Sequence, residues 1–279
     1  GIYTTFGQTD NLLRRSDISS IRKALNNGLT SYERECGPLN IFIQNSTMKL
    51  STQINRAIAM PCNHLLMIAI TGCGGKEMLK LTVHTMNGKL FSPSTFDGYS
   101  LRHFAIDLKE CISFAANEGK LAVFCIEEYQ IVDNSFFDYI NALLTNHIPP
   151  NLYTPEEQKA ILSQLNDISY EEFKKLVRDH LRLVIIVDPR SSTCAKMLKS
   201  QPLLEAQTTI LKVNDFEEKV LSEMTPLILS KLDVNDEQTA KLPFAKVHKA
   251  LKMQSSDFQS FIQNYVDLSK KKSESLATR

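Results

Sequence analysis

An α/β fold, with a parallel sheet covered by helices on both faces, is what this sequence predicts, on three observations. Three runs are wholly apolar, Leu65–Ile70, Leu121–Ile126 and Leu183–Val187, without the alternation of a strand that faces water on one side. Amphipathic helical patterns separate them, the order that builds a parallel sheet between two helical layers. Each run also ends on chemistry foreign to a sheet interior: a glycine cluster with a lysine, the pair Glu127-Glu128, and Asp188. In sheets of this kind the working residues lie at the carboxyl ends of the strands.

The central stretch, HLLMIAITGCGGKEM over 64–78, reads as strand, glycine-rich loop and helix. Gly72, Gly74, Gly75 and Lys76 are the residue types of a phosphate-binding loop. Loop amides and a helix N-terminus meet the phosphate oxygens, glycines let the backbone approach, and the lysine supplies charge. The spacing departs from the G-x-x-x-x-G-K pattern, which wants glycine where Ile70 stands. Ala69 takes the first position only with one extra loop residue, and the hydroxyl expected after the lysine to hold Mg²⁺ is replaced by Glu77.

At 279 residues the chain is long enough to bury a sizeable core. Its 43% hydrophobic and 23% charged residues place it with ordinary globular domains rather than disordered segments. A net charge of +1 supplies no basic field, which argues against a nucleic-acid partner. The six cysteines form no C-x-x-C pair and several sit in apolar runs, which predicts reduced, buried thiols in an intracellular compartment. No apolar stretch reaches the roughly 20 residues that cross a bilayer, and no signal sequence opens the chain, so no membrane partner is expected. Both ends lack caps or tails, as in a segment of something longer.

In chain order, residues 1–16 show no periodicity and are expected to form a loop or lead-in. Asp17 is placed to cap a helix through Ile18, Ile21, Leu25, Leu29 and Tyr32. Asn40–Ile43 is a short apolar element, and Leu50, Ile54, Ala57 and Ile58 mark a second helix that Pro61 ends. After the glycine loop, Met78, Leu79, Thr82, Val83 and Met86 keep helical spacing up to Asn87-Gly88. Lys89–Ser92 is strand-like. Ser100 opens an amphipathic helix through Phe104, Leu108, Cys111 and Ala115, closed near Gly119. A helix over Phe136–Leu144, then charged helical patterns near 155–165 and 169–181, separate the second apolar run from the third. Thr208–Val213 reads as a last strand and residues 216–228 as a helix. A polar linker over Asp233–Lys241 leads to a terminal helix striped by Phe258, Phe261, Ile262, Tyr265 and Leu268.

A P-loop ATPase needs an acidic pair after the strand neighbouring the loop, one acid for Mg²⁺ and one for the attacking water. Glu127 stands in the metal position, where aspartate is usual, and Glu128 in the base position. Asp188 is read as a cap for the next helix, because an anion there would repel phosphate. Ile41 and Phe42 stand at the distance before the loop where an adenine platform often lies, although apolar residues at the start of a strand more often belong to the core. The six histidines show no zinc-binding spacing, and Lys270–Lys272 reads as a solvated helix face.

HLLMIAITGCGGKEMLKLTVHTMNG, then GYSLRHFAIDLKECI, then LAVFCIEEYQIVDNSFFDYINALLTNHIPPNLYTPEEQ closely resemble the fourth AAA module of dynein heavy chains. LRLVIIVDPRSS resembles its sensor strand, DISSIRKALNNGLTSYERE its lead-in helix, and FIQNYVDLSKKKSESL its last helix running into the coiled-coil stalk. IYTTFG, the quartet Glu127-Glu128-Tyr129-Gln130 and IVDP look most like the cytoplasmic dynein 2 group, the retrograde motors of intraflagellar transport.

The resemblance implies a P-loop NTPase AAA+ fold and a C-terminal helical subdomain leading into the stalk. The chain then divides into a lead-in (1–36), an α/β core with a degenerate P-loop (37–213), and a helical lid with the start of the stalk (214–279). It further implies one wedge of an ATP-driven, minus-end-directed microtubule motor in cytoplasm, cytoskeleton and cilium. The partners would be neighbouring AAA modules, the microtubule through the stalk, and dynein intermediate and light chains through the parent. By position Gly74, Gly75 and Lys76 match the phosphate loop for ATP or ADP with Mg²⁺, Glu127 the metal acid and Glu128 the catalytic acid. The extra loop residue, Ala69, Glu77, Met78 and the longer Glu127 depart from an active site, and any arginine finger would come from the fifth module. Hydrolysis by this module alone is therefore not expected. Two readings stand: a nucleotide-binding regulatory module, and a nucleotide-free structural spacer whose phosphate pocket Glu77 fills electrostatically.

Overall fold

The computed structural model describes residues 2–7, 12–232, 234, 239 and 241–277, with side chains except at 256 and 273–277. The expected linker over Asp233–Lys241 and the end of the basic tail lie largely outside the described residues. Two compact units result: Gly1–Ala69 with Gly75–Val213, and Ile70–Gly74 with Asn214–Arg279.

The first unit opens not on a loop but on a small antiparallel pair, β1 (Ile2–Thr4) and β2 (Arg14–Ser16). Strands of three residues carry too little alternation to be read from sequence. The backbone N–H of Thr5, next to β1, donates to Asn55 Oδ1 at 3.0 Å, and Asn55 Nδ2 donates to the Thr5 hydroxyl at 2.7 Å.

Asn55 belongs to α2 (Asn45–Ala59), which follows α1 (Ile18–Cys36). Asp17 precedes α1 as expected, but its carboxylate accepts the hydroxyls of Ser19 and Ser20 rather than a backbone N–H. The apolar element Asn40–Ile43 is no strand, because the Ile41 N–H turns back on the Leu39 carbonyl at 2.8 Å.

Five strands then form one all-parallel sheet: β3 (His64–Ala69), β4 (Lys89–Phe91), β5 (Ala122–Glu127), β6 (Leu181–Val187) and β7 (Thr208–Val213), in the order β4-β5-β6-β3-β7. The strand carrying the acidic pair, β5, therefore does not neighbour β3 as the sequence reading had it. β6 lies between them. Strands apolar on both faces carry no side-chain signal for which neighbour they take, so order comes from the connections alone.

One face packs against α4 (Leu101–Glu118), α5 (Phe136–Asn146) and α7 (Tyr170–His180), with α6 (Pro155–Gln164) leading into α7. Phe104 stacks on Phe136 with ring centroids 4.7 Å apart and meets Phe124 of β5 edge-on at 5.6 Å. Gly119 closes α4 in the left-handed conformation, φ 57°, which glycine adopts without a Cβ penalty. Reciprocal capping boxes start α6 (Thr154 with Glu157) and α7 (Ser169 with Glu172), which is why two such polar segments hold as helices. On the other face, α2 packs on α3 (Gly75–Thr85), joined by the buried Ser51–Thr82 hydroxyl pair at 2.8 Å. Two short helices precede β7: α8 (Ser192–Ser200), the helix expected after Asp188, and α9 (Pro202–Ala206), which the sequence reading did not place. Neither completes three turns, too few to show a period.

Two buried polar groups lock the amino end of the sheet. Arg182, 2% exposed, donates to the Ile58 carbonyl of α2 at 3.0 Å and to the Arg178 and Asp179 carbonyls of α7 at 3.1 and 2.7 Å. A cation against two helix C-termini suits their dipoles. Burial draws its pKa down to about 10, so it stays charged at neutral pH. His64, 3% exposed, accepts the Leu183 N–H on Nδ1 at 3.0 Å, which joins β3 to β6 by a side chain.

The second unit holds α10 (Glu218–Lys231), α11 (Phe244–Ala250) and α12 (Phe258–Ala277). α11 falls where the sequence reading placed only an approach to the terminal helix. In α12 the buried positions are Phe258, Ile262 and Val266, spaced by four, while Tyr265 and Leu268 of the predicted stripe are exposed.

Burial and, less, the charges of Arg182 and His147 hold the His64 pKa at about 4, below the ordinary 6.5. The unfolded chain thus takes up a proton below pH 6.5 that the folded chain refuses until pH 4. Stability present above pH 6.5 should fall through that window, by roughly 3 kcal/mol for this group. Melting curves from pH 7 to 4 should show the loss, and His64→Asn, which keeps an acceptor near the Nδ1 position, should shallow the slope by about one proton.

Candidate functional site

Parallel register brings the three strand ends to one edge: Ile68 pairs with Val187 and Glu127 with Ile186. Glu127-Glu128 and Asp188 therefore lie at the edge from which the glycine loop leaves β3. Gly72 and Gly74 take φ of 87° and 73°, a region that disfavours any residue with a Cβ. Gly75 begins α3 so close to β3 that a Cβ would stand 3.2 Å from Met67 Sδ and 3.3 Å from the Ala69 Cβ. The departure at Ala69 is thus matched to this approach, since a larger side chain there would push α3 off the strand.

Lys76, in the first turn of α3, reaches past β6 to form an ion pair with Glu127 Oε1. Both side chains are partly buried, 26% and 21% exposed. The Tyr129 hydroxyl donates to the same Glu127 oxygen at 2.9 Å. Burial works against the Lys76 charge, but the hydrogen bond and charge of Glu127 outweigh it and its pKa is raised. Burial and the same carboxylate raise the Tyr129 phenol, which stays a neutral donor.

Gln130 holds Glu127 in place. Its Oε1 accepts the Glu127 N–H at 2.8 Å, while its Nε2 donates to the Pro93 carbonyl at 2.6 Å and the Ser92 hydroxyl at 3.2 Å. Gln130 is 4% exposed, so this amide ties the end of β5 to the segment after β4 out of reach of water.

Glu128 is aimed elsewhere. Its Oε2 accepts the backbone N–H of Asp188 at 3.1 Å, beyond the end of β6. Asp188 does not cap α8 as expected: its carboxylate accepts the Arg190 N–H at 2.9 Å and pairs with the Arg190 guanidinium at 2.8 Å, and Ser191 accepts the Thr193 N–H as the cap. The guanidinium offsets the negative charge that argued against Asp188 beside a phosphate. Ile41 and Phe42, 6% and 9% exposed, are buried just ahead of α2, where the Phe42 carbonyl accepts the Thr47 hydroxyl at 2.8 Å. Glu77 lies near α1: burial, Cys36 and the charge of Glu77 together raise the Tyr32 phenol.

A phosphate fits Lys76 and the amino end of α3, where cation and helix dipole act together. Mg²⁺ fits poorly. Its donor set would be Glu127, already bonded to Lys76 and Tyr129, with a glutamate in place of the hydroxyl after the lysine.

In the second unit, Asp215 joins Cys73 of the glycine loop, at 3.5 Å from Sγ to Oδ1, to Lys249 of α11 at 2.7 Å and to the Ser255 hydroxyl. Asp215 and Arg190 carry no local signal of these roles, and the bonding of Tyr129 and Gln130 is visible only once β5 is placed.

The strand–glycine-loop–lysine–helix unit on a β4-β5-β6-β3-β7 parallel sheet defines an AAA+ module of the P-loop class. Within that class the chain belongs to the family of the P-loop-containing dynein motor region D4, whose model matches residues 39–273. It is 25% identical to the cytoplasmic dynein 2 heavy chain 1 of Rattus norvegicus over 91% of this chain, and 26% identical to that of Homo sapiens over 78%. It is 20% identical, over 89% of its length, to the dynein-1-alpha heavy chain of the flagellar inner arm I1 complex of Chlamydomonas reinhardtii. The chain spans only 5–6% of the length of these relatives.

Gln130→Ala should unfold the module more readily than its size suggests. It leaves the Glu127 N–H and the Pro93 carbonyl buried without their partner, at a cost of about 1–3 kcal/mol each. Chemical denaturation should show a lower midpoint, and a midpoint equal to that of the unsubstituted chain would remove Gln130 as the anchor of Glu127.

Proposed function

We propose that this chain is a nucleotide-binding regulatory module of a dynein motor ring, one that holds ATP or ADP without hydrolysing it. The observation that carries the reading is the Lys76–Glu127 pair at the amino end of α3. A lysine held at a helix N-terminus by one carboxylate is a phosphate-binding cation with an exchangeable counter-ion. Lys76 and the first turn of α3 take the phosphates, and Ile41 and Phe42 supply the apolar surface for the base. Glu127 stands where a metal acid belongs and Glu128 where a catalytic acid belongs. Bonded to Lys76 and Tyr129 and to the Asp188 N–H, they do not assemble around Mg²⁺ and a water.

The relatives carry this reading to the parent. The module is one wedge of a microtubule motor, packed between neighbouring AAA modules, with α12 leading toward the coiled-coil stalk that meets the microtubule and with intermediate and light chains bound elsewhere. The cytoplasmic dynein 2 relatives favour retrograde intraflagellar transport, in cytoplasm and cilium. A second reading, a nucleotide-free spacer, has its own support in that Glu127 and Tyr129 already satisfy Lys76.

Melting curves with and without millimolar Mg-ATP and Mg-ADP separate the two. A ligand at about 100 times its Kd should add roughly 2.7 kcal/mol to stability, and Lys76→Ala should abolish the gain. A well-folded chain that melts at one temperature with and without nucleotide would instead be the spacer.

A further inference from the structure

Asp215 follows β7 and its carboxylate gathers four segments of the second unit. Oδ1 accepts the Cys73 thiol at 3.5 Å, the Phe216 N–H at 2.9 Å and the Ser255 hydroxyl, and Oδ2 pairs with Lys249 at 2.7 Å. Only the Phe216 bond is local. The others span sequence separations of 142, 34 and 40 residues. A loop-capping aspartate needs none of them.

The two ends of this bridge are both buried. Cys73 is 2% exposed, in a turn closed by its N–H to the Ile70 carbonyl at 3.2 Å. Ser255 is 6% exposed and opens a short 3-10 turn, Ser255–Asp257, that runs directly into α12 at Phe258. The carboxylate itself is 40% exposed, so water competes for it, but its two buried partners fix its direction.

We infer that Asp215 is a positioning residue that ties the glycine loop to the first turn of the terminal helix, so that a phosphate ligand on the loop also orders residues 255–261. The ligand effect rests on the proposed phosphate-binding role of the loop, whereas the tie itself does not. Ordering the loop fixes the Cys73 thiol, which fixes the carboxylate, which fixes the hydroxyl at the root of α12. The coupling is reciprocal, since a free-energy link between two segments acts equally in both directions.

Hydrogen–deuterium exchange on the 279-residue chain tests both parts. Ser255→Ala should speed exchange of amides 71–74 about five-fold or more, and Cys73→Ala should do the same at 255–261. Cys73→Ser, which restores a donor, should match the unsubstituted chain at both. Asp215→Asn should loosen both segments, and if it fails to fold the single-partner variants decide. Substitutions felt only in their own segment would overturn the tie. Mg-ADP should slow exchange at both segments of the unsubstituted chain, and slowing confined to the loop would overturn the coupling. Slowing at neither, with the reciprocal effects intact, would sink the phosphate reading and leave the tie standing.

Discussion

Lys76 stands in the first turn of α3, where the unpaired N–H groups of the helix already make the surroundings positive. A partly buried cation at such a place needs an anion, and Glu127 provides it from the end of β5, two strands from β3 in the sheet. The extra methylene of glutamate over the usual aspartate, which looks like a defect beside a metal, serves this reach. A phosphate would meet the same positive centre, so ligand and Glu127 compete for one lysine.

That geometry depends on parts of the module far from the loop. β5 holds its register against β6 and closes on Gln130, whose amide is bonded at both ends inside the protein. Gly75 lets α3 settle onto β3 with no Cβ between them, which sets how far Lys76 must extend. At the opposite end Arg182 draws the ends of α2 and α7 onto the start of β6. The site is therefore placed by backbone register and a few buried polar bonds, with little left to surface charge.

Much of this was legible in the chain itself. The apolar runs, glycine cluster and helical stripes were enough for a parallel α/β sheet with Lys76, Glu127, Glu128 and Asp188 at one edge, because burial on both faces and period 3.6 leave direct traces. Strand order left none, and β6 rather than β5 flanks β3. Caps were only half legible: Asp17 and Asp188 have the right residue type, but Ser19, Ser20 and Arg190 compete for their oxygens. The bonds of Asp215 to Cys73, Lys249 and Ser255 had no local signature, because their partners meet only after folding. α8, α9 and α11 are too short to show a period.

The most direct test of a phosphate site governed by Lys76 and Glu127, and independent of metal, is calorimetric titration with ADP in EDTA and in Mg²⁺. Titrating the unsubstituted chain beside Glu127→Gln isolates the competing carboxylate. The account predicts binding that survives EDTA and tightens when Glu127 loses its charge, because the ligand no longer displaces a carboxylate. Binding that requires Mg²⁺, or that weakens in Glu127→Gln, would mean that Glu127 serves a metal and not the lysine.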